Sequence, residues 1–156
     1  MKKRILLALL LTASPAFAAD YCVQGGATSK MLDVFVLNSS VSTGAGLAGL
    51  AFNSASLACS YRRAGSTRTA ITLATSTLGT YTSGAFKEVD STNMPGFYEI
   101  GIPNAAIASG ADYVDIWCGG AANMAPVAAR IQLDCPVQGV SFSASALGQI
   151  VRKGQN

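Results

Sequence analysis

The chain reads as all-β: an immunoglobulin-like antiparallel β-sandwich of about seven to eight strands, followed by a short C-terminal helix or tail. Three observations carry that expectation. From Lys30 onward, short segments rich in β-branched and aromatic residues recur at about ten-residue intervals, separated by clusters of Gly, Asn, Ser and Pro. Within these segments apolar and polar residues alternate with the period of two that a half-buried strand requires. The cysteines number 4, and an even count in an exported chain reads as a disulfide framework.

Export itself is read from the first residues. Met1-Lys2-Lys3-Arg4 is basic, Ile5 to Leu11 is an apolar run, Pro15 ends it, and Ala16-Phe17-Ala18 has the small-residue pattern of a cleavage site. Residues 1–18 are therefore expected to be a signal peptide cleaved after Ala18, 19–29 an N-terminal lead, 30–134 the sandwich and 135–156 a C-terminal tail, helical in part. Cleavage removes Lys2, Lys3 and Arg4, which lowers 11 Lys+Arg to 8 against 8 Asp+Glu. A neutral mature chain lacks the electrostatic footprint of a nucleic-acid binder. The remaining stretch of about 138 residues suits one domain with one core. It holds no second apolar run of the roughly 20 residues that a membrane span needs.

The elements follow in order. Met31 to Leu37 is the first strand, with Leu32, Val34 and Val36 on one face and Asp33 and Phe35 on the other, and Ser39 to Gly46 is expected to be a flexible loop. Leu57 to Arg63 alternates Leu57, Cys59 and Tyr61 against Ala58, Ser60 and Arg62. Thr69 to Leu73 and Phe86 to Val89 come next. Asn93-Met94-Pro95-Gly96 is expected to turn the chain, proline fixing the first corner and glycine taking the positive φ of the second, before Phe97 to Ile102 returns as a strand. Pro103 to Ala108 permits a single helical turn ended by Gly110. Tyr113 to Cys118 reads as the central strand, with Val114, Ile116 and Cys118 inward and Tyr113, Asp115 and Trp117 outward. Val127, Ala129, Ile131 and Leu133 alternate with Ala128, Arg130 and Gln132 in a final strand. In the tail, Leu147, Ile150 and Val151 stand at helical spacing between Ser143 and Lys153, with Ser143 or Ser145 as N-cap, and a helix this short is marginal alone.

Four cysteines allow three pairings. Cys59 with Cys118 and Cys22 with Cys135 are expected, because the first two face inward from strands and the others flank the strand-rich region. The Cys59–Cys118 bond is expected to staple the two sheets together. Zinc is disfavoured, since there is no C-x-x-C pair and the histidine count is 0.

Lack of histidine also removes the commonest general base and every Ser-His-Asp or Cys-His arrangement. Glu88, Asp90, Glu99, Asp112 and Asp115 are scattered singly. A glycosidase pair drawn from them, or a calcium set around Asp112 and Asp115, has no supporting motif. The sequence therefore assigns no catalytic residue, metal ligand or cofactor, and the chain is not expected to be an enzyme. Arg62, Arg63 and Arg68 flank a hairpin loop, suited either to an acidic glycan or to blunting a sheet edge. Tyr113 and Trp117 share the outward face of one strand, where they offer a platform for another subunit or for a stacked sugar.

Several blocks occur in a fixed order: Thr28 to Val36, Ser42 to Leu50, Ala70-Ile71-Thr72-Leu73, Lys87 to Tyr98, Gly101-Ile102-Pro103, Asn123-Met124-Ala125-Pro126 and Ile131-Gln132-Leu133. Together, over about 105 residues from Thr28 to Asp134, they resemble a module widespread in structural proteins of tailed phages and prophages, which occurs in tail-fibre, baseplate and head-associated proteins. The strand rhythm is also similar to the N-terminal β-sandwich of phage baseplate upper proteins. The resemblance implies a non-enzymatic structural or adhesion module that attaches protein partners, or copies of itself as a homo-oligomer, in a virion or on an exported surface. The alternative is a secreted carbohydrate-binding module that stacks a glycan on Trp117 and Tyr113, and a hydrolase is a remote third reading. Members of the module usually begin at the first strand and lack cysteines where Cys59 and Cys118 stand. The leader and the added cysteines here imply service in an oxidising compartment. The expected contact surfaces are the Tyr113/Trp117 face and the apolar stripe of Leu147, Ile150 and Val151.

Overall fold

The computed structural model describes residues 21–134. The expected signal peptide and its cleavage site, Cys135, and the tail with Leu147, Ile150 and Val151 lie outside the described residues. Eight strands follow one another: β1 (Tyr21–Cys22), β2 (Met31–Phe35), β3 (Ala58–Arg63), β4 (Thr69–Ile71), β5 (Phe86–Asp90), β6 (Met94–Gly101), β7 (Tyr113–Gly119) and β8 (Val127–Gln132). They form a five-stranded sheet in the order β1-β8-β7-β3-β4 and a three-stranded sheet in the order β2-β6-β5. The described chain is thus an all-β sandwich, with no helix. Strand pairing is antiparallel except where β1 runs parallel to β8, Tyr21 beside Ile131 and Cys22 beside Gln132.

The core sits where the alternation places it. Leu32 and Val34 of β2 are each 6% exposed, and Val114, Ile116 and Cys118 of β7 are 0%, 2% and 0% exposed. From the smaller sheet Phe86 and Tyr98 stack with ring centroids 4.9 Å apart. Removing these side chains from water, worth about 1.5–3 kcal/mol for each large one, drives the two sheets together.

Three local expectations give way. Cys59 and Cys118 do form a disulfide, with Cα atoms 4.1 Å apart, but they are direct cross-strand partners on β3 and β7. The bond therefore lies within the five-stranded sheet and does not staple it to the other one. Alternation fixes the face a residue points to; two neighbouring strands satisfy it as well as two facing ones. Both sulfurs are in the core, and disulfides persist in oxidising compartments. Cys22 is disulfide-bonded too, while its expected partner, Cys135, falls outside the described residues.

The chain does not turn at Pro95-Gly96. Both residues lie inside β6, where Glu88 pairs with Tyr98 and Asp90 with Met94, so Val89 alone stands opposite three residues. That is a bulge, a position in which a sheet tolerates proline. The reversal comes earlier, at residues 91–93, closed by the Asp90 carboxylate. It accepts the Thr92 N–H at 2.8 Å and the Asn93 N–H at 3.0 Å, a side-chain mimic of a backbone turn.

The segment after β6 makes a hydrogen-bonded turn at residues 104–107, not a helix, with the Ala106 N–H on the Pro103 carbonyl at 2.8 Å. It plugs the core with Ala106 and Ile107, each 0% exposed. The Arg63 guanidinium holds it down, donating to the Ala108 and Ser109 carbonyls at 2.7 and 2.6 Å. Beyond the Ser39–Gly46 loop, the chain at residues 47–50 is tied to the smaller sheet. The Tyr98 hydroxyl donates to the Leu47 carbonyl at 2.6 Å and accepts the Leu50 N–H at 3.1 Å, and Glu88 accepts the Gly49 N–H at 3.1 Å.

Candidate functional site

Strand register builds the outer face of the five-stranded sheet row by row. Because Val114, Ile116 and Cys118 point inward, Tyr113, Asp115 and Trp117 must point out. Trp117 lies between Ser60 on β3 and Ala128 on β8, and Asp115 between Arg62 and Arg130. Ser60 has Ala70 on its other side. Small residues therefore flank the indole, which is 42% exposed. The ring leans along its own strand over Gly119, where a Cβ would come within 2.7 Å of Cζ2 and 2.8 Å of Cη2. Glycine at 119 is what lets the indole lie against the sheet.

The charged row beside it carries more cation than anion. Asp115 Oδ1 accepts from Arg130 Nε at 2.7 Å and Oδ2 from an Arg62 terminal nitrogen at 3.4 Å. Arg68, just before β4, makes no ion pair among the described residues. Ser60, Tyr61, Arg62, Arg68, Asp115 and Trp117 line one shallow depression of about 410 Å³. An apolar ring and two guanidinium groups thus share a single open surface.

Two expectations about this face are corrected. Arg63 does not belong to the basic cluster, because its guanidinium is turned to the carbonyls of residues 108 and 109. Tyr113 is on the right face, but the Arg130 guanidinium sits 4.0 Å from its ring centroid. This cation–π contact covers one face of the ring. The expected two-ring platform is reduced to Trp117. Arg130 was not part of the expected basic cluster; its outward position in the alternation of β8 was the available signal. For Gly119 the signal was a glycine two residues beyond an outward tryptophan.

The carboxylates are dispersed. Glu88 and Glu99 accept the N–H groups of Gly49 and Gly79, and Asp90 caps its own turn. Asp115 lines the Trp117 depression, while Asp112 lines a different one with Asp134. The structure does not bring Asp112 and Asp115 together as a calcium set. Among the described residues no group of three or more His, Cys, Asp and Glu could hold a metal ion, and no helix is long and apolar enough to cross a membrane. No protein-family model, curated protein or solved structure matches the chain.

Proposed function

We propose that the chain is a non-enzymatic attachment module, of the structural or adhesion kind, that works outside the cytoplasm and holds a protein partner through the outer face of its five-stranded sheet. One observation carries this reading. Trp117, the single tryptophan of the chain, stands 42% exposed on that face among small side chains and arginines. Tryptophan and arginine are the residues that concentrate binding energy when a partner excludes water from them. The leader sequence and the buried disulfide support export, and the ordered blocks from Thr28 to Asp134 support a structural role in a virion or on an exported surface.

Light scattering and partner binding of the mature protein, compared with its Trp117→Ala variant, test the proposal. Trp117→Ala is expected to abolish assembly or binding and to leave the melting temperature unchanged. A variant that unfolds would make Trp117 a structural residue and end the reading. A second reading, glycan binding, is favoured by the exposed indole resting over Gly119, since an aromatic ring open to solvent can stack a pyranose ring. A sugar-array signal lost on Trp117→Ala would select it.

A further inference from the structure

We infer that the partner segment is acidic: a peptide or protein surface that lays an apolar side chain on the Trp117 indole and a carboxylate against Arg68 and Arg62. The inference rests on the reading of this face as the attachment face. Its basis is the charge count of one row. Arg62, Arg68 and Arg130 stand against a single carboxylate, Asp115, whose two oxygens are already engaged at 2.7 and 3.4 Å. A guanidinium carries five N–H donors, and Arg62 spends one of them on its longer contact with Asp115. Arg68 has no ion pair among the described residues.

Tyr61 pairs with Thr69, so Arg62 and Arg68 flank one another across neighbouring strands, where like charges are unfavourable. An incoming carboxylate relieves that repulsion and fits the planar fork of a guanidinium. Trp117 lines the same depression, so the charged and the apolar contact fall to one ligand segment. The surface is open and the second ring, Tyr113, is covered by Arg130. A single exposed ring beside several arginines is the composition of a protein interface core more than of an aromatic sugar platform.

Because Trp117 is the only tryptophan, its fluorescence reads this site directly. The mature protein is titrated with three probes: a blocked peptide of alternating Glu and Phe, the same peptide with Lys for Glu, and an oligomer of galacturonate. The Glu peptide is expected to shift Trp117 emission to the blue and the Lys peptide to leave it unmoved. Arg68→Glu should weaken the Glu peptide about ten-fold without changing the melting temperature, and raising salt toward 1 M should weaken it as well, since ions at that strength screen beyond about 3 Å. A galacturonate shift as strong as the peptide's would overturn the inference in favour of a carboxylated glycan. Equal shifts from the Glu and Lys peptides would overturn it while sparing the attachment reading, and silence from all three probes would also overturn it. Failure of the attachment reading looks different: there, Trp117→Ala lowers the melting temperature.

Discussion

Gly46 and Gly96 meet backbone to backbone. A Cβ on Gly96 would lie 2.6 Å from the Gly46 Cα, and one on Gly46 would collide with the Pro95 carbonyl oxygen. The contact docks the loop after β2 on the β6 bulge, where the Val36 N–H also bonds the Gly96 carbonyl at 2.8 Å. Gly46→Ala should cost about 1–3 kcal/mol through overpacking against main chain that has no rotamer to move. Gly96→Ala adds the strain of φ +90° to the same collision. Gly44→Ala is the reference, with φ +75° and nothing within 4 Å of its Cβ. Urea unfolding of the three variants checks the claim: Gly44→Ala carries positive-φ strain alone, so a Gly46→Ala as stable as the parent, or a Gly96→Ala no weaker than Gly44→Ala, would disprove it.

The disulfide bridges residues 59 positions apart but joins strands that already share a ladder. Its main effect is on the unfolded chain, where it removes loop entropy worth about 2–5 kcal/mol. Replacing Cys59 and Cys118 together with Ala should lower unfolding free energy by that amount and keep the far-ultraviolet circular dichroism of the sandwich. A double variant as stable as the parent would refute the entropic account. Single variants are expected to be worse folded in oxidising expression, because each leaves one thiol free.

Stability should fall at both ends of the pH scale for identifiable reasons. Tyr98 is 0% exposed. Burial pushes its hydroxyl above the usual 10, opposed by the Leu50 N–H and reinforced by the Glu88 charge. The folded state thus keeps the neutral phenol, so this contribution is full below about pH 10 and is lost as pH rises past it. Tyr98→Phe should flatten the alkaline limb. It should also cost about 1–3 kcal/mol at neutral pH by leaving the Leu50 N–H and the Leu47 carbonyl unpaired. At the acid end, the Asn93 side chain and the Asn93 and Thr92 N–H groups hold the Asp90 carboxyl below its usual 3.8. That contribution is present above about pH 3.8 and is lost as pH falls through the lower folded value. Asp90→Ala should flatten the acid limb. Unfolding midpoints measured across pH for the two variants separate the effects.

The faces of the strands were legible because a period of two writes burial into every second residue, as Val114, Ile116 and Cys118 show. What periodicity does not contain is which strand lies beside which. The shared inward face pairs Cys59 with Cys118, but it does not say that β3 and β7 are neighbours in one sheet. Pro95-Gly96 has turn chemistry, yet Asp90, with Asn93 three residues on, closes the hairpin before the chain reaches it. The ties made by Tyr98 to Leu47 and by Arg63 to Ala108 join residues 51 and 45 positions apart, and no local pattern marks them. At the candidate site, Trp117 and Asp115 were legible from alternation. The cover of Arg130 over Tyr113 depended on a neighbouring strand whose register only the fold sets.

The charge of the Trp117 face can be read without any partner. An indole 42% exposed with guanidinium groups from Arg62 and Arg68 lining the same depression should emit as a largely hydrated ring. Anionic quenchers should be enriched near it and cationic ones depleted, within the screening length of about 10 Å at 0.1 M salt. Iodide is therefore expected to quench Trp117 more efficiently than caesium once each is normalised to free indole. Arg68→Glu should narrow that ratio, because it replaces with an anion the one of the two arginines lining the depression that makes no ion pair among the described residues. Arg63→Ala should leave it unchanged and lower stability, since that guanidinium serves the carbonyls of residues 108 and 109 and not the depression. If caesium quenches as well as iodide in the parent protein, Asp115 outweighs the arginines at the indole, and an acidic partner has no electrostatic reason to prefer this face.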